Sequence, residues 1–328
     1  MTLVDRLRVV FLGTPEFAVP TLEALIAHPN LDVVAVVTQP DRPAGRNQKT
    51  HVPPTKRVAL LHSIPVLQPE SLAKSPETVE MLNVLNPDLI VMVAFGQILK
   101  KAVLKLPRLG VVNLHASLLP SYRGAAPINW AIINGDRETG ITTMFTDPGV
   151  DTGPILLKSF LPIDPDINAE ELAAQMSTKG AKLVVETIEK LTSETLAPEK
   201  QDDTRATYAP ILTKEMGEID WKQSASHVHN LVRGLIPWPG AFTFLRGEPL
   251  KIWKTSTELP SDEFAKAADH SPKPGTIIVE GKAVLASCGS SGADALRLLE
   301  VQPVNRARMS AFDWYNGARL AKGEGLGV

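Results

Sequence analysis

The feature that most constrains this chain is a set of short, almost uninterrupted apolar runs separated by helical patterns. Residues 8–12 (closing on Gly13), 32–38, 89–94 and 111–115 are rich in Val, Ile and Leu and read as strands. A strand with one wet face alternates apolar and polar residues; a strand buried on both faces has no such need. These runs barely alternate, so they belong in a mainly parallel sheet covered by helices on both sides. Helical patterns at 21–27, 76–85 and 127–134 fill the gaps, with Ser75 placed to cap the second of them and Pro76 behind it. Residues 140–145 and 154–162 then read as a strand pair around the loop 146–153. A long amphipathic helix over 169–191 closes the unit. The expected class is α/β, a doubly wound Rossmann-like sheet.

Beyond it the pattern changes. Residues 192–207 are polar and charged, including Gln201, Asp202 and Asp203, and read as a linker. A short helix at 224–233 precedes five β-type runs at 241–245, 250–254, 275–279, 283–287 and 295–301. Strands at that spacing, parted by Gly, Ser and Glu-Gly turns, predict a small OB-like β-barrel. The expected organisation is therefore 1–191, a linker at 192–207, and 208–328, which suits a chain of 328 residues. With 44% hydrophobic residues and a net charge of −2, the chain is not disordered. No stretch approaches about 18 consecutive apolar residues, so no membrane span and no membrane partner are expected. Asp5, Arg6 and Arg8 lead directly into the first strand, so no signal peptide is expected. The single cysteine, Cys288, has no partner for an internal disulfide, which fits a reducing, cytoplasmic setting.

The first strand–helix turn reads Gly13-Thr-Pro-Glu-Phe-Ala, with Pro15 and Ala18 where a dinucleotide fingerprint requires glycines. Glu16 would add negative charge beside a phosphate, so the ligand belongs elsewhere along the strand ends. Chemistry concentrates at 111–127. In a strand, residues i and i+2 share a face, so Asn113 and His115 project together at the end of 111–115. An amide beside an imidazole suits a developing oxyanion; a polar pair satisfied at a sheet end explains it equally well. The loop 117–120 then offers backbone groups to a planar heterocycle. Downstream, Asp147 and Asp151 sit in a Gly/Pro-rich loop, either as ordinary turn residues or as a carboxylate returning beside His115. His227 and His229 lack a third ligand pattern, so no metal is expected. Trp238, between two prolines, reads as a packing anchor.

The run Asn113-Leu-His115-Ala-Ser117-Leu118-Leu119-Pro120, then Arg123-Gly-Ala-Ala-Pro127 and Asp151-Thr-Gly153, resembles the folate-dependent formyltransferases. Phe11-Leu-Gly-Thr-Pro15, Thr38-Gln-Pro-Asp-Arg-Pro-Ala-Gly-Arg46 and Pro237-Trp-Pro-Gly240 bring it nearest to those members that formylate methionine carried on initiator tRNA. The resemblance extends over about residues 8–320. It implies the formyltransferase fold, 10-formyltetrahydrofolate as co-substrate, no permanently bound cofactor, and a chain working as a monomer. It implies that Asn113 and His115 donate to the oxyanion while Asp151 orients His115 and shuttles a proton. It further implies folate contacts at Phe95, Gly96, Gln97, Ile98, Ser117, Leu118, Leu119 and Pro120, and along 147–150, from Asp147 to Val150. Arg42, Arg46 and Lys49 would meet tRNA from the connection 39–54, a basic loop far longer than the usual ~2–6 residues and read as mobile. Lys251, Lys254, Arg306 and Arg308 are candidates for a second tRNA surface on the C-terminal domain. A relative acting on a small-molecule amine, or hydrolysing 10-formyltetrahydrofolate, would keep Asn113, His115 and Asp151 without needing the basic loop.

Overall fold

A computed structural model of the protein describes residues 6–44, 49–259, 272–320 and 323–327. In chain order its first elements are β1 (Leu7–Gly13), α1 (Val19–Ala27), β2 (Leu31–Val37), β3 (Arg42–Ala44), β4 (Lys49–His51), α2 (Pro54–Leu61), β5 (Val66–Leu67), α3 (Pro76–Val84) and β6 (Leu89–Val93). Next come α4 (Lys101–Leu104), β7 (Val111–His115), β8 (Arg123–Gly124), α5 (Pro127–Ile133), β9 (Glu138–Phe145), β10 (Ile155–Pro162), α6 (Ala169–Thr192) and β11 (Tyr208–Ala209). The last are α7 (Ala225–Gly234), β12 (Ala241–Leu245), β13 (Glu248–Ser256), β14 (Ile277–Glu280), β15 (Ala283–Cys288), β16 (Asp294–Pro303), β17 (Met309–Ser310) and α8 (Ala311–Ala318). One unit comprises Met1–Pro127, Thr139–Leu161 and Ala173–Ala209, the other Ile128–Glu138, Pro162–Leu172 and Pro210–Val328.

The first unit holds a seven-stranded sheet in the order β10-β9-β7-β6-β1-β2-β5. β1 runs parallel to β2 and β6, β7 is parallel to β6, and β9 is antiparallel to β7. Val9, Val10, Phe11 and Leu12 are all fully buried, so both faces of β1 are covered, as the unalternating sequence requires. From β1 the chain builds outward through β2 to β5, then returns to the other side of β1 as β6 and β7. Ligands of such sheets bind at the carboxyl ends of the strands near that reversal, the rim that carries His115. Gly13 serves packing, since a Cβ there would lie 2.9 Å from the Val93 carbonyl oxygen. The predicted cap of α3 is present, with Ser75 accepting from the Thr78 N–H. α6 opens on a reciprocal capping box that was not anticipated. Asn168 Oδ1 accepts from Glu171 N at 3.0 Å, and Glu171 Oε2 accepts from Asn168 N at 3.1 Å.

Residues 192–207 are not a free tether. They belong to the first unit, where Glu199 bridges to Ile155 and Gln201 is only 5% exposed. Their polarity hid this, because the burial rests on hydrogen bonds instead of apolar surface. The connection 39–54 also carries structure: β3 and β4 pair antiparallel, Arg42 opposite His51 and Ala44 opposite Lys49. Its root is pinned by the Asp41 carboxylate, which takes Lys56 Nζ at 2.8 Å and Gln68 Nε2 at 2.7 Å. The Gln68 bond, followed by the Lys56 bond, holds the Asp41 carboxyl below the usual carboxylate range.

The second unit is built on an antiparallel sheet, β12-β13-β16-β15-β14, with β17 on β16. Trp221, Val228, Val232, Ile252, Val284, Leu296 and Trp314 fill its core. Ser224 and Ser310 cap α7 and α8. Cys288 is fully buried, and desolvation pushes its thiol up to about 12, so it behaves as a small packing side chain. Trp238 departs from expectation: it is 57% exposed and anchors no core. Among the described residues no helix is long and apolar enough to cross a membrane.

His229 is expected to make this unit acid-sensitive. It is buried on α7, Nε2 donates to the Pro165 carbonyl at 3.1 Å, and Nδ1 accepts from the Thr255 hydroxyl at 2.9 Å. Desolvation, aided by Arg233, holds its pKa below the ordinary value and outweighs the Pro165 bond and Asp166, 3.5 Å away. A histidine depressed in the folded state contributes stability that is intact above about pH 6.5 and is lost as pH falls through the folded value. All five tryptophans lie in this unit, so their fluorescence follows its melting. The melting temperature is expected to drop between pH 7 and 5, and to drop less in His229→Gln. Equal pH slopes in the two proteins would refute this.

Candidate active site

β7 delivers Asn113 and His115 to the carboxyl rim of the sheet, both 6% exposed. The loop between β9 and β10 brings Asp151 back to them. Its Oδ1 lies 3.5 Å from Asn113 Nδ2, and its Oδ2 lies 3.6 Å from His115 Nδ1. A tighter bond fixes the carboxylate from the third side, where Gly124 N–H donates to Oδ2 at 2.9 Å. His115 Nε2 lies 2.9 Å from the Tyr122 carbonyl. A carbonyl only accepts, so Nε2 carries the ring proton and Nδ1 is the nitrogen turned to the carboxylate. The expected His115 donor thus has its Nε2 proton already engaged, and the Asn113 amide is the less committed donor. Side-chain contacts of 3.5–3.6 Å are of the kind that tighten around a bound substrate.

The two loop carboxylates do different work. Asp147 Oδ1 accepts from Gly149 N at 3.0 Å and from the Thr152 hydroxyl at 2.6 Å, which shapes the turn. Asp151 is the one that reaches the rim. It adopts a left-handed conformation, φ 55°, which few non-glycine residues take. Gly153 is obligatory, because a Cβ there would lie 1.8 Å from the Phe145 carbonyl oxygen.

The residues expected around folate fall into two groups. Gly96, Ile98 and Val150 are exposed, and Leu118 and Pro120 half-buried, so they are available to a ligand. Phe95, Ser117 and Leu119 face inward. Phe95 belongs to the core of the first unit, and Leu119 packs on Met144 and Ile155. Ser117 Oγ donates to the Ser121 carbonyl at 2.6 Å. The Ser117 carbonyl and the Leu119 N–H, expected to be open to a heterocycle, are both taken by the Thr142 hydroxyl at 2.7 and 3.2 Å. Gln97 turns back to brace the chain at 69–72: its Oε1 accepts from Leu72 N at 2.7 Å. Of the expected tRNA contacts, Arg42 is exposed beside Glu70 at 3.8 Å, Lys49 lies on β4, and Arg46 falls outside the described residues.

Four participants were not anticipated: the Tyr122 carbonyl, the Gly124 N–H, the Thr142 hydroxyl and Gln201. The first two are backbone groups with no side-chain signature. Among the described residues no cluster of His, Cys, Asp and Glu could hold a metal ion.

An amide and an imidazole paired with a returning carboxylate, at the strand ends of this sheet, form a donor and acceptor set suited to stabilising an oxyanion and moving a proton. The chain belongs to the formyl transferase family: the formyl transferase domain matches residues 7–188 and the formyl transferase C-terminal domain residues 211–319. It is 51% identical over 322 residues to the methionyl-tRNA formyltransferase of Geobacter metallireducens, covering 98% of this chain and 99% of that one. It is 47% identical over 319 residues to the methionyl-tRNA formyltransferase of Caldanaerobacter subterraneus, covering 97% and 99%. Among solved structures, the sugar 3N-formyl transferase WlaRD shares the fold at TM-score 0.64 and 19% identity, over 92% of this chain and 99% of that one. HypX from Aquifex aeolicus, in complex with tetrahydrofolic acid, does so at TM-score 0.64 and 17% identity, over 97% of this chain and 48% of that one.

Proposed function

We propose that this protein transfers the formyl group of 10-formyltetrahydrofolate to the α-amino group of methionine esterified to initiator tRNA. The convergence of Asn113, His115 and Asp151 on one rim carries the chemistry, and full-length similarity to enzymes named for this substrate carries the specificity. A free α-amino group has a pKa of about 7.7–8.0, and esterification lowers it, so the nucleophile is largely unprotonated at neutral pH. No covalent enzyme intermediate is then needed. The amine attacks the formyl carbon, and the Asn113 amide donates to the oxyanion that forms. The His115 Nδ1 lone pair takes the proton from the new N–C bond's nitrogen, with the Asp151 charge alongside. The resulting Nδ1–H joins Asn113 at the oxyanion, then passes its proton to N10 as the C–N10 bond breaks.

Gly96, Ile98, Leu118, Pro120 and Val150 are the residues open to the pterin in this reading. The 1–191 region supplies catalysis, and the β3–β4 loop and the 208–328 region supply tRNA contacts. Every protein group invoked comes from one chain, so this reading needs only a monomer, and its tRNA substrate places that monomer in the cytoplasm. The test is to mix the protein with 10-formyltetrahydrofolate and initiator methionyl-tRNA, elongator methionyl-tRNA or free small-molecule amines, and to follow N-formylation. The initiator tRNA is expected to be the preferred acceptor; formylation confined to small amines would overturn the reading. Arg42→Ala, Arg46→Ala and Lys49→Ala combined should weaken tRNA binding across sequences. They should also flatten the slope of log affinity against log salt by on the order of two. An unchanged slope would remove the loop from the interface.

A further inference from the structure

Gln201 is a buried amide with all four hydrogen-bonding positions occupied. Its Oε1 accepts from Arg123 Nε at 3.1 Å and Nη2 at 2.8 Å, while its Nε2 donates to the Asp151 carbonyl at 2.9 Å and the Gly153 carbonyl at 2.7 Å. The reverse amide orientation would set N–H groups against a guanidinium and oxygen against two carbonyls, so the partners fix the assignment. The segments it clamps are the two that build the site. Backbone from Tyr122 to Gly124 supplies the carbonyl that holds His115 and the N–H that holds the Asp151 carboxylate. The Asp151–Gly153 turn carries that carboxylate, in a left-handed conformation that persists only where its surroundings hold it. Arg123, 3% exposed, ends its reach on Asp203 at 2.7 Å, which balances the charge.

We infer that Gln201 is a positioning residue: it locks the Asp151 turn to the Tyr122–Gly124 strip, so that the carboxylate faces Asn113 and His115. It touches no reacting atom. The inference rests on the proposed formyl transfer for its kinetic reading only. Gln201→Met keeps the length and removes every bond. Gln201→Glu keeps the acceptor for Arg123 but turns oxygen toward the two carbonyls, so retaining the Arg123 contact does not rescue it. At temperatures well below melting, both variants are expected to slow single-turnover formyl transfer by about 10–100-fold with KM for either substrate within about 2-fold. In an Asp151→Asn background, Gln201→Met is expected to add less than about 3-fold, because the loss runs through the same carboxylate. Hydrogen exchange at the Gly124 amide should quicken by at least about 10-fold in Gln201→Met while Val91, inside β6, is unchanged. A rate within about 3-fold of wild type, a full multiplicative penalty on Asp151→Asn, or unaltered Gly124 exchange overturns the inference. Failure of the wild type to formylate methionyl-tRNA sinks the proposed substrate instead, and the exchange measurement still decides the role of Gln201.

Discussion

Replacing Asn113 by alanine is expected to lower the single-turnover rate of formyl transfer by about 10²–10³-fold while leaving substrate affinity nearly unchanged. Asn113 Nδ2 makes one long contact, 3.5 Å to Asp151, in a residue 6% exposed, so its donor is aimed but not consumed. A donor that strengthens its bond only as the carbonyl oxygen becomes an anion contributes to the transition state and little to substrate binding. Truncation removes that donor without disturbing the strand, whose pairing with β6 and β9 is made by backbone. Asp151→Asn is the companion. Its carboxamide oxygen can still accept from Gly124 N–H, so the turn survives, but the charge beside His115 is gone. A loss of similar order is expected. If the two groups act in one step, the double variant should fall far short of the product of the single losses. Near-wild-type turnover in either single variant would remove that residue from the mechanism.

The parts of this molecule that were legible in the sequence are those whose signal is apolar pattern or cap chemistry. The predicted strand 111–115 coincides with β7, and Ser75 caps α3 as its position demanded. Asn113 and His115 share a rim because a two-residue period leaves no other choice. What the sequence concealed depends on bonds between polar groups far apart in the chain. The 192–207 stretch resembles a solvated tether, yet Gln201 is buried by a guanidinium and two carbonyls, and neither partner leaves a hydropathy trace. Backbone at 117–119 looked open to a ligand, since nothing local showed that Thr142, more than twenty residues on, satisfies it. Asp147 and Asp151 carry the same side chain in the same loop. Only the turn geometry separates the one that shapes the loop from the one that reaches His115. Trp238 is exposed against the sequence expectation because flanking prolines restrict the backbone without deciding which way the ring points.

Gly153→Ala is expected to reduce formyl transfer by about 10²-fold or more, although alanine adds only one methyl group and no charge. That methyl would lie 1.8 Å from the Phe145 carbonyl oxygen and 3.4 Å from Asp147 N. The first obstacle is main chain, which cannot rotate aside, so the turn itself must move. The same displacement breaks the bond from Gln201 to the Gly153 carbonyl and shifts Asp151, two residues back, away from Gly124 and His115. Overpacking of this kind costs about 1–3 kcal/mol of stability, which a chain of this size tolerates, so the variant should fold and still turn over poorly. Gly317→Ala is the matched control. It sits in α8, meets nothing within 4 Å, and should be neutral or stabilising by about 0.5–1 kcal/mol with full activity. The pair separates a general intolerance of glycine replacement from a specific demand at the loop. If Gly153→Ala retained its rate, the Asp151 turn would be more compliant than its contacts imply, and the carboxylate would be held by the substrates rather than by the fold.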